Sequence, residues 1–69
     1  MNYDYITLIK NLREKLILSQ EELAEVLGVS FASVNRWERG RHEPTIKAKR
    51  KIVELCKKNK IKLVAKEIK

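Results

Sequence analysis

The stretch Ser19–Gly40, SQEELAEVLGVSFASVNRWERG, decides the fold because it contains two short helices separated by a tight turn. Ser19 and Glu22 have the spacing of a capping box, in which each side chain accepts a hydrogen bond from the other residue's backbone N–H. Gly28 ends the first helix, because a residue with a Cβ resists the left-handed turn conformation. Ser30 predicts the N-cap of a second helix, which the glycine closing the stretch ends. Such a pair of helices forms a helix-turn-helix.

Apolar spacing predicts one further helix on each side of this unit. The first spans about Asp4–Lys15 with Asp4 as its cap, and the last spans about 46–58 with Thr45 as its cap. The inward residues of the four helices are Tyr5, Leu8, Ile9, Leu12 and Leu16, then Leu23, Ala24 and Leu27, then Val34 and Trp37, and finally Ala48, Ile52, Leu55 and Cys56. The sequence therefore predicts an all-α fold, a compact bundle of four or five helices.

The tail, residues 60–69, fits two structures. Ile61, Val64 and Ile68 have the spacing of a helix, whereas Ile61 and Leu63 belong to an alternation typical of a strand. We favour a short helix or a frayed extension for this segment.

Length and composition indicate a small soluble protein. With no internal repeat and no linker, we expect a single domain over residues 1–69, with a helix-turn-helix core over about 19–39. No apolar run approaches the ~18 residues that span a membrane, and the N-terminus lacks the layout of a signal peptide. One cysteine forms no internal disulfide. These features predict a cytoplasmic protein without a membrane segment.

Positive charge is concentrated in the second half of the chain. Residues 1–34 contain three Lys or Arg and five acidic residues, a net charge of −2, whereas residues 35–69 contain 13 and four, a net charge of +9. The whole chain therefore has a net charge of +7. A basic half of this size indicates a polyanionic partner, most simply nucleic acid, although lysine-rich helices also serve solubility alone.

Residues that carry enzymatic chemistry are scarce. His42 is the only histidine, and apart from the adjacent Glu43 it has no partner at metal-ligand spacing. The sequence contains neither a Gly-rich phosphate loop nor a Ser-His-Asp grouping. Cys56 fits a small core residue better than a reactive thiol. We therefore expect no enzyme, and neither a metal, a cofactor nor a small-molecule ligand.

Beyond these patterns, the sequence resembles a known family. The run from Leu12 to Pro44, LREKLILSQEELAEVLGVSFASVNRWERGRHEP, is similar to the phage-repressor and Cro-like helix-turn-helix (XRE) family. The combination of SQEELA, LGVS and WERG at these spacings is specific, and the run covers about half of the chain. The resemblance implies a lambda-repressor-like DNA-binding domain, whose third helix enters the major groove of double-stranded DNA.

The predicted third helix has two faces. With Val34 pointing inward, Trp37 and Glu38 lie on the same side. The outer side, its flanks and its tip carry the candidate base-contacting residues, Phe31, Ala32, Ser33, Asn35 and Arg36. Arg36 fits guanine O6 and N7, Asn35 fits adenine, and Phe31 with Ala32 fits a thymine methyl. The alternatives are a phosphate contact or solvent for Arg36, solvent for Asn35 and the core for Phe31.

Phosphate contacts are expected around this helix. Ser19 and Gln20 lie at the N-terminus of the second helix, where free N–H groups and the positive end of the helix dipole favour an anion. The family resemblance implies that Gln20 touches a phosphate and that Arg39 and Arg41 lie near the DNA backbone. Lys47, at the start of the last helix, is a further candidate, although a solvated lysine fits that position equally well.

The resemblance also implies a structural ion pair. In the family, an arginine of the first helix pairs with the glutamate that ends the third, and Arg13 and Glu38 occupy those positions. An acid beside DNA would repel it, so an inward Glu38 needs a partner of this kind. The alternative is that Arg13 and Glu38 are unrelated surface charges.

Together, these features predict a sequence-specific transcriptional regulator that resembles Cro or a repressor. Such proteins usually bind palindromic operators as homodimers, and we expect a dimer surface in the tail or the last helix, near Ile61, Leu63 and Val64. Two alternatives stay open. One is an antitoxin or control protein of the same fold, and the other is a basic helical module that binds an acidic protein or RNA.

Overall fold

A computed structural model describes residues 3–66 of the chain, and these form a compact all-α globule with four helices. The helices are α1 (Tyr5–Leu16), α2 (Gln20–Leu27), α3 (Phe31–Glu38) and α4 (Ile46–Lys58). The predicted helices are all present, and the predicted all-α fold is confirmed.

Each helix begins at the N-cap that the sequence predicts, because a side-chain oxygen there accepts a backbone N–H of the first turn. The four bonds are Thr7 N to Asp4 Oδ1 at 3.2 Å, Glu22 N to Ser19 Oγ at 3.1 Å, Ser33 N to Ser30 Oγ at 3.2 Å, and Ala48 N to Thr45 Oγ1 at 3.3 Å. The capping box is complete, since Ser19 N also donates to Glu22 Oε1 at 2.9 Å.

All four helices end next to a residue with positive φ, and only two of these four residues are glycines. At the end of α4, Lys60 (φ 58°) follows the Asn59 cap. Gly28 (φ 71°) caps α2, and Gly40 (φ 75°) follows the Arg39 cap of α3. A Cβ on Gly40 would lie 3.3 Å from Ile6 Cδ1, so this turn also packs closely on α1. α1 instead ends at Ile17, a β-branched residue held at φ 54°. That conformation is strained, and the sequence contains no signal for it.

The core lies where all four helices meet. α2 packs on α3, and α1 contacts both α3 and α4. The buried residues are Leu8, Ile9 and Leu12 of α1, Leu23, Ala24 and Leu27 of α2, Val34 and Trp37 of α3, and Ala48, Ile52 and Cys56 of α4. The predicted inward positions Tyr5, Leu16 and Leu55 are only partly buried at the edge of this core.

The tail differs from the prediction in its described part. Residues 61–66 contain no helix, and Tyr3 forms an isolated antiparallel bridge with Ala65. Asp4 N donates to Val64 O at 2.8 Å, so the tail returns to the start of α1 and satisfies backbone groups there. The helical expectation is wrong for these residues because this long-range pairing overrides local spacing. Residues 67–69 lie outside the described part.

The same return changes the expected dimer surface. Ile61, Leu63 and Val64 are half-buried against the core of their own chain. They therefore offer less free apolar surface than the sequence suggested. Separately, none of the helices within residues 3–66 combines the length and apolarity that crossing a bilayer requires.

Candidate nucleic-acid interface

The outer face of α3 is free of intramolecular packing. Ala32, Arg36 and Arg39 are exposed, whereas Val34 is fully buried and Trp37 is 6% exposed on the opposite side. The helix therefore turns its cations outward and its large aromatic ring inward, as the 3.6-residue period requires.

Phe31 lies at the first position of α3 and is 47% exposed. Its ring is therefore not a core side chain, which was the alternative that the sequence left open. A single exposed aromatic ring is ordinary in a stable monomer, so this exposure shows only that no other part of the described chain covers the ring. Phe31 is thus available for an apolar contact at the tip of the helix.

Asn35 connects α3 to the N-terminus of α2. Its Nδ2 donates to Gln20 Oε1 at 3.2 Å, and both side chains are half-buried. Because this bond uses the oxygen of the Gln20 amide, the Nε2 donors of Gln20 face away from it. The residue predicted to touch phosphate and one predicted to touch a base are therefore directly joined.

Ser33 of α3 is hydrogen-bonded to Ser30, the residue that caps the helix. Ser33 Oγ lies 3.0 Å from Ser30 Oγ, and Ser33 N also donates to that oxygen. A base contact by the Ser33 hydroxyl would therefore compete with its hydrogen bond to Ser30 Oγ.

The predicted phosphate contacts lie at several points around α3. Ser19, Arg39, Arg41 and Lys47 are exposed, and Gln20 lies beside Ser19 at the start of α2. Ser19 Oγ already accepts a capping bond, so its remaining capacity toward an anion is its hydroxyl proton. Lys47 lines a shallow cleft with Gly28 and Val29, which places it beside the turn between α2 and α3.

Arg13 and Glu38 form an ion pair that ties α1 to the end of α3. Arg13 Nη1 lies 2.9 Å from Glu38 Oε1 and 3.0 Å from Oε2, and the side chains are 29% and 9% exposed. Arg13 Nε also donates to Leu18 O at 3.2 Å, a contact that sequence reasoning missed. The pair thus fixes the loop between α1 and α2 as well as the position of α3.

Within residues 3–66, no three His, Cys, Asp or Glu side chains lie close enough to share a metal ion. Burial raises the pKa of the Cys56 thiol above its usual value of 9.0, so this core side chain is protonated at neutral pH.

Comparison with known proteins agrees with this geometry. A family model described as "Helix-turn-helix" matches residues 9–63, which is most of the chain and includes all of α2 and α3. Searches of curated proteins and of solved structures found no significant match. The chain therefore belongs to the XRE-type helix-turn-helix family of DNA-binding proteins.

Proposed function

We propose that this protein is a sequence-specific regulator of transcription that inserts α3 into the major groove of double-stranded DNA. The observation that carries the proposal is the division of α3 into a buried scaffold side and an exposed side with Phe31, Ala32, Arg36 and Arg39. A major groove is about 12 Å wide and admits one α-helix. An exposed helix with this chemistry fits that role.

Base reading is assigned to the exposed residues. Arg36 donates two hydrogen bonds to guanine O6 and N7, and Phe31 with Ala32 contacts a thymine methyl. Asn35 and Ser33 are the weaker base contacts in this proposal, because each already has an intramolecular partner. Asn35 Oδ1 and one Nδ2 proton stay available to an adenine.

Phosphate binding positions α3 over the bases. The start of α2 presents free backbone N–H groups, and the Gln20 amide donates from Nε2 while Asn35 holds its oxygen. Arg39, Arg41 and Lys47 add charge on the flanks. All five proposed phosphate contacts lie outside the core, so none has to leave it to reach an anion. They are Ser19, Gln20, Arg39, Arg41 and Lys47.

We further propose that the protein acts as a homodimer on a palindromic operator, with half-sites about 34 Å apart. A Cro-like or repressor-like regulator, an antitoxin and a control protein would all use this same DNA-binding surface. The proposed contacts with DNA are the same whichever of these roles applies.

The proposal is tested by titrating a fluorescent duplex of random sequence with the full chain at several salt concentrations. Three flanking cations at phosphates predict a slope of log association constant against log salt of about −3. A single-stranded RNA of equal length should bind more weakly. A flat salt response, or equal binding of the RNA, would instead support a protein- or RNA-binding module.

A further inference from the structure

A second surface combines apolar and basic side chains, and the proposed DNA contacts do not use it. Tyr5 of α1 and six residues of α4 line a groove of about 470 Å³, which we call the α1–α4 groove. The six residues of α4 are Ile46, Lys49, Arg50, Val53, Glu54 and Lys57. Four of them follow the i, i+4, i+7, i+11 spacing of a single stripe along the helix.

The floor of the α1–α4 groove is apolar and open to solvent. Ile46 is 70% exposed, and Val53 and Tyr5 are half-buried. A single exposed isoleucine is ordinary, but apolar side chains that share one concave surface are typical of a docking site.

Contacts around Tyr5 give the groove one fixed wall. Lys49 Nζ lies 5.2 Å from the centroid of the Tyr5 ring and 3.6 Å from Glu43 Oε2. The Tyr3 ring meets the Tyr5 ring edge-on, with 6.1 Å between centroids. The tyrosine ring is thus held on two sides, so a partner would meet a preformed surface.

The rim of the groove is positively charged. Arg50 and Lys57 are exposed, and neither has a carboxylate within 4.0 Å among residues 3–66. Glu54 is the one acid among the described lining residues. A second copy of the chain docked by this same face would bring like charges together. An anionic membrane would need larger exposed apolar anchors than Ile46 supplies.

We propose that the α1–α4 groove binds an acidic amphipathic helix of a partner protein. The stripe from Ile46 to Lys57 is about 17 Å long, which about 11 residues of a helix match. Apolar residues on one face of that helix contact Ile46 and Val53. Its carboxylates meet Arg50 and Lys57, which supplies the charge complementarity that selects the partner.

The test is an NMR titration of the full chain with a designed peptide of about 15 residues, long enough for a helix to form on binding. The peptide has leucines at helical spacing and glutamates on the remaining faces. We expect saturable chemical-shift changes in the NMR signals of Tyr5, Ile46 and Val53 and no change in those of Phe31. A scrambled peptide of identical composition should bind at least about tenfold more weakly, because it presents no continuous apolar face.

Two neighbouring lysines give a matched control. Lys57→Glu should weaken peptide binding about fivefold to tenfold, whereas Lys58→Glu, with the same net charge but off the groove, should leave it nearly unchanged. Ile46→Ser should weaken it about tenfold and leave DNA binding intact. Circular dichroism verifies that each variant is folded.

Several outcomes would overturn the proposal. One is equal binding of the scrambled peptide, and another is an equal effect of Lys57→Glu and Lys58→Glu. Chemical-shift changes centred on α3 would mean that the acidic peptide binds the proposed DNA-binding surface and not the groove. Binding of phosphatidylserine vesicles through Ile46, or self-association lost in Ile46→Ser, would replace the partner helix by a membrane or a second copy.

Discussion

The Arg13–Glu38 ion pair explains how a carboxylate can lie at the end of α3, the helix that we propose enters the DNA groove. Glu38 is 9% exposed and receives both of its side-chain hydrogen bonds from Arg13. The bonds neutralise the acid and hold it away from the outer face of α3. The pair therefore stabilises the fold directly, and in the proposed complex it also fixes the position of α3 on the DNA.

Arg13→Ala should lower the free energy of unfolding by about 2–3 kcal/mol, because it leaves the Glu38 carboxylate nearly buried without a partner. Urea denaturation of both proteins measures the difference. Glu43→Gln is the control, since Glu43 is 62% exposed and lies 3.6 Å from Lys49, so the change should cost less than about 0.5 kcal/mol. Equal costs would show that the Arg13–Glu38 pair behaves as an ordinary surface contact.

Ile17 is the clearest strained residue of the described chain. It has φ 54° and is 88% exposed, so it pays for a left-handed conformation without burying its side chain. Ile17→Gly should raise the free energy of unfolding by about 0.5–1 kcal/mol.

The reciprocal change is Gly28→Ala at φ 71°, where a Cβ would have no atom within 4 Å. Only the backbone conformation opposes that substitution, so stability should fall by about 1 kcal/mol. Thermal unfolding of both variants tests whether Ile17→Gly raises stability and Gly28→Ala lowers it. A destabilising Ile17→Gly would indicate that the isoleucine side chain contributes an interaction that outweighs its backbone strain.

At the scale of elements, α2 and α3 form one structural unit. A side-chain hydrogen bond joins them in addition to their apolar packing. The Asn35–Gln20 bond joins the N-terminus of α2 to the middle of α3. A shift of one helix would therefore disturb the proposed phosphate contact of Gln20 and the proposed base contact of Asn35 at the same time.

This bond predicts energetic coupling in DNA binding. Gln20→Ala and Asn35→Ala should each weaken binding to a preferred duplex, and the double variant should lose less than the sum, by about 0.5–1 kcal/mol. The measurement is a double-mutant cycle of dissociation constants at fixed salt. Strict additivity would mean that the two side chains contact DNA independently.

Local signals in the sequence predict the helices well, and long-range contacts explain the misses. Asp4, Ser19, Ser30 and Thr45 cap their helices within a single turn, so neighbouring residues suffice to identify them. The tail has its conformation because Tyr3 meets Ala65 across the whole chain. Residue spacing alone contains no trace of that pairing.

The candidate site likewise has features that the sequence predicts and contacts that it does not. The exposed face of α3 follows from helical period alone, which is why Arg36 and Ala32 were identifiable. The bond between Gln20 and Asn35 and the wall of the α1–α4 groove depend on how separate helices pack, and no local pattern contains them.

At the scale of the whole molecule, the small core makes the fold sensitive to alkaline pH. Burial raises the pKa of the Cys56 thiol, and burial with the charges of Tyr3 and Glu43 raises that of the Tyr5 hydroxyl. Each group is thus held more strongly in its protonated form when folded. Its stabilising contribution is complete below the unfolded pKa and is lost as pH rises through the folded pKa.

The free energy of unfolding should therefore fall from about pH 9 upward. Cys56→Ala should be less stable at neutral pH because it leaves a small cavity, yet its stability should fall less steeply above pH 9.0. Tyr5→Phe should remove the later part of the fall, above pH 10.0. Urea titrations across this range measure the slopes. If stability fell equally steeply with pH in the unchanged protein, Cys56→Ala and Tyr5→Phe, Cys56 and Tyr5 would not be the groups responsible for the fall.

Charge is also arranged over the whole molecule. The +9 second half supplies α3, the following loop and α4 with cations, and α2 carries three of the nine acidic residues and no Lys or Arg. This separation provides the basic surface that we propose for DNA and the second one, the α1–α4 groove, that we propose for an acidic partner. Both proposals therefore depend on the same asymmetry but on different residues.

The central claim is that the outer face of α3 reads the sequence of double-stranded DNA. The most direct measurement is a selection from random duplexes with the full chain, repeated with Arg36→Ala and with Gln20→Ala. We expect one enriched motif for the unchanged protein. Arg36→Ala should lose the preference at a guanine position, at a cost of about 1–3 kcal/mol, and Gln20→Ala should keep the motif with weaker binding. No enriched motif, or an identical motif after Arg36→Ala, would contradict the central claim.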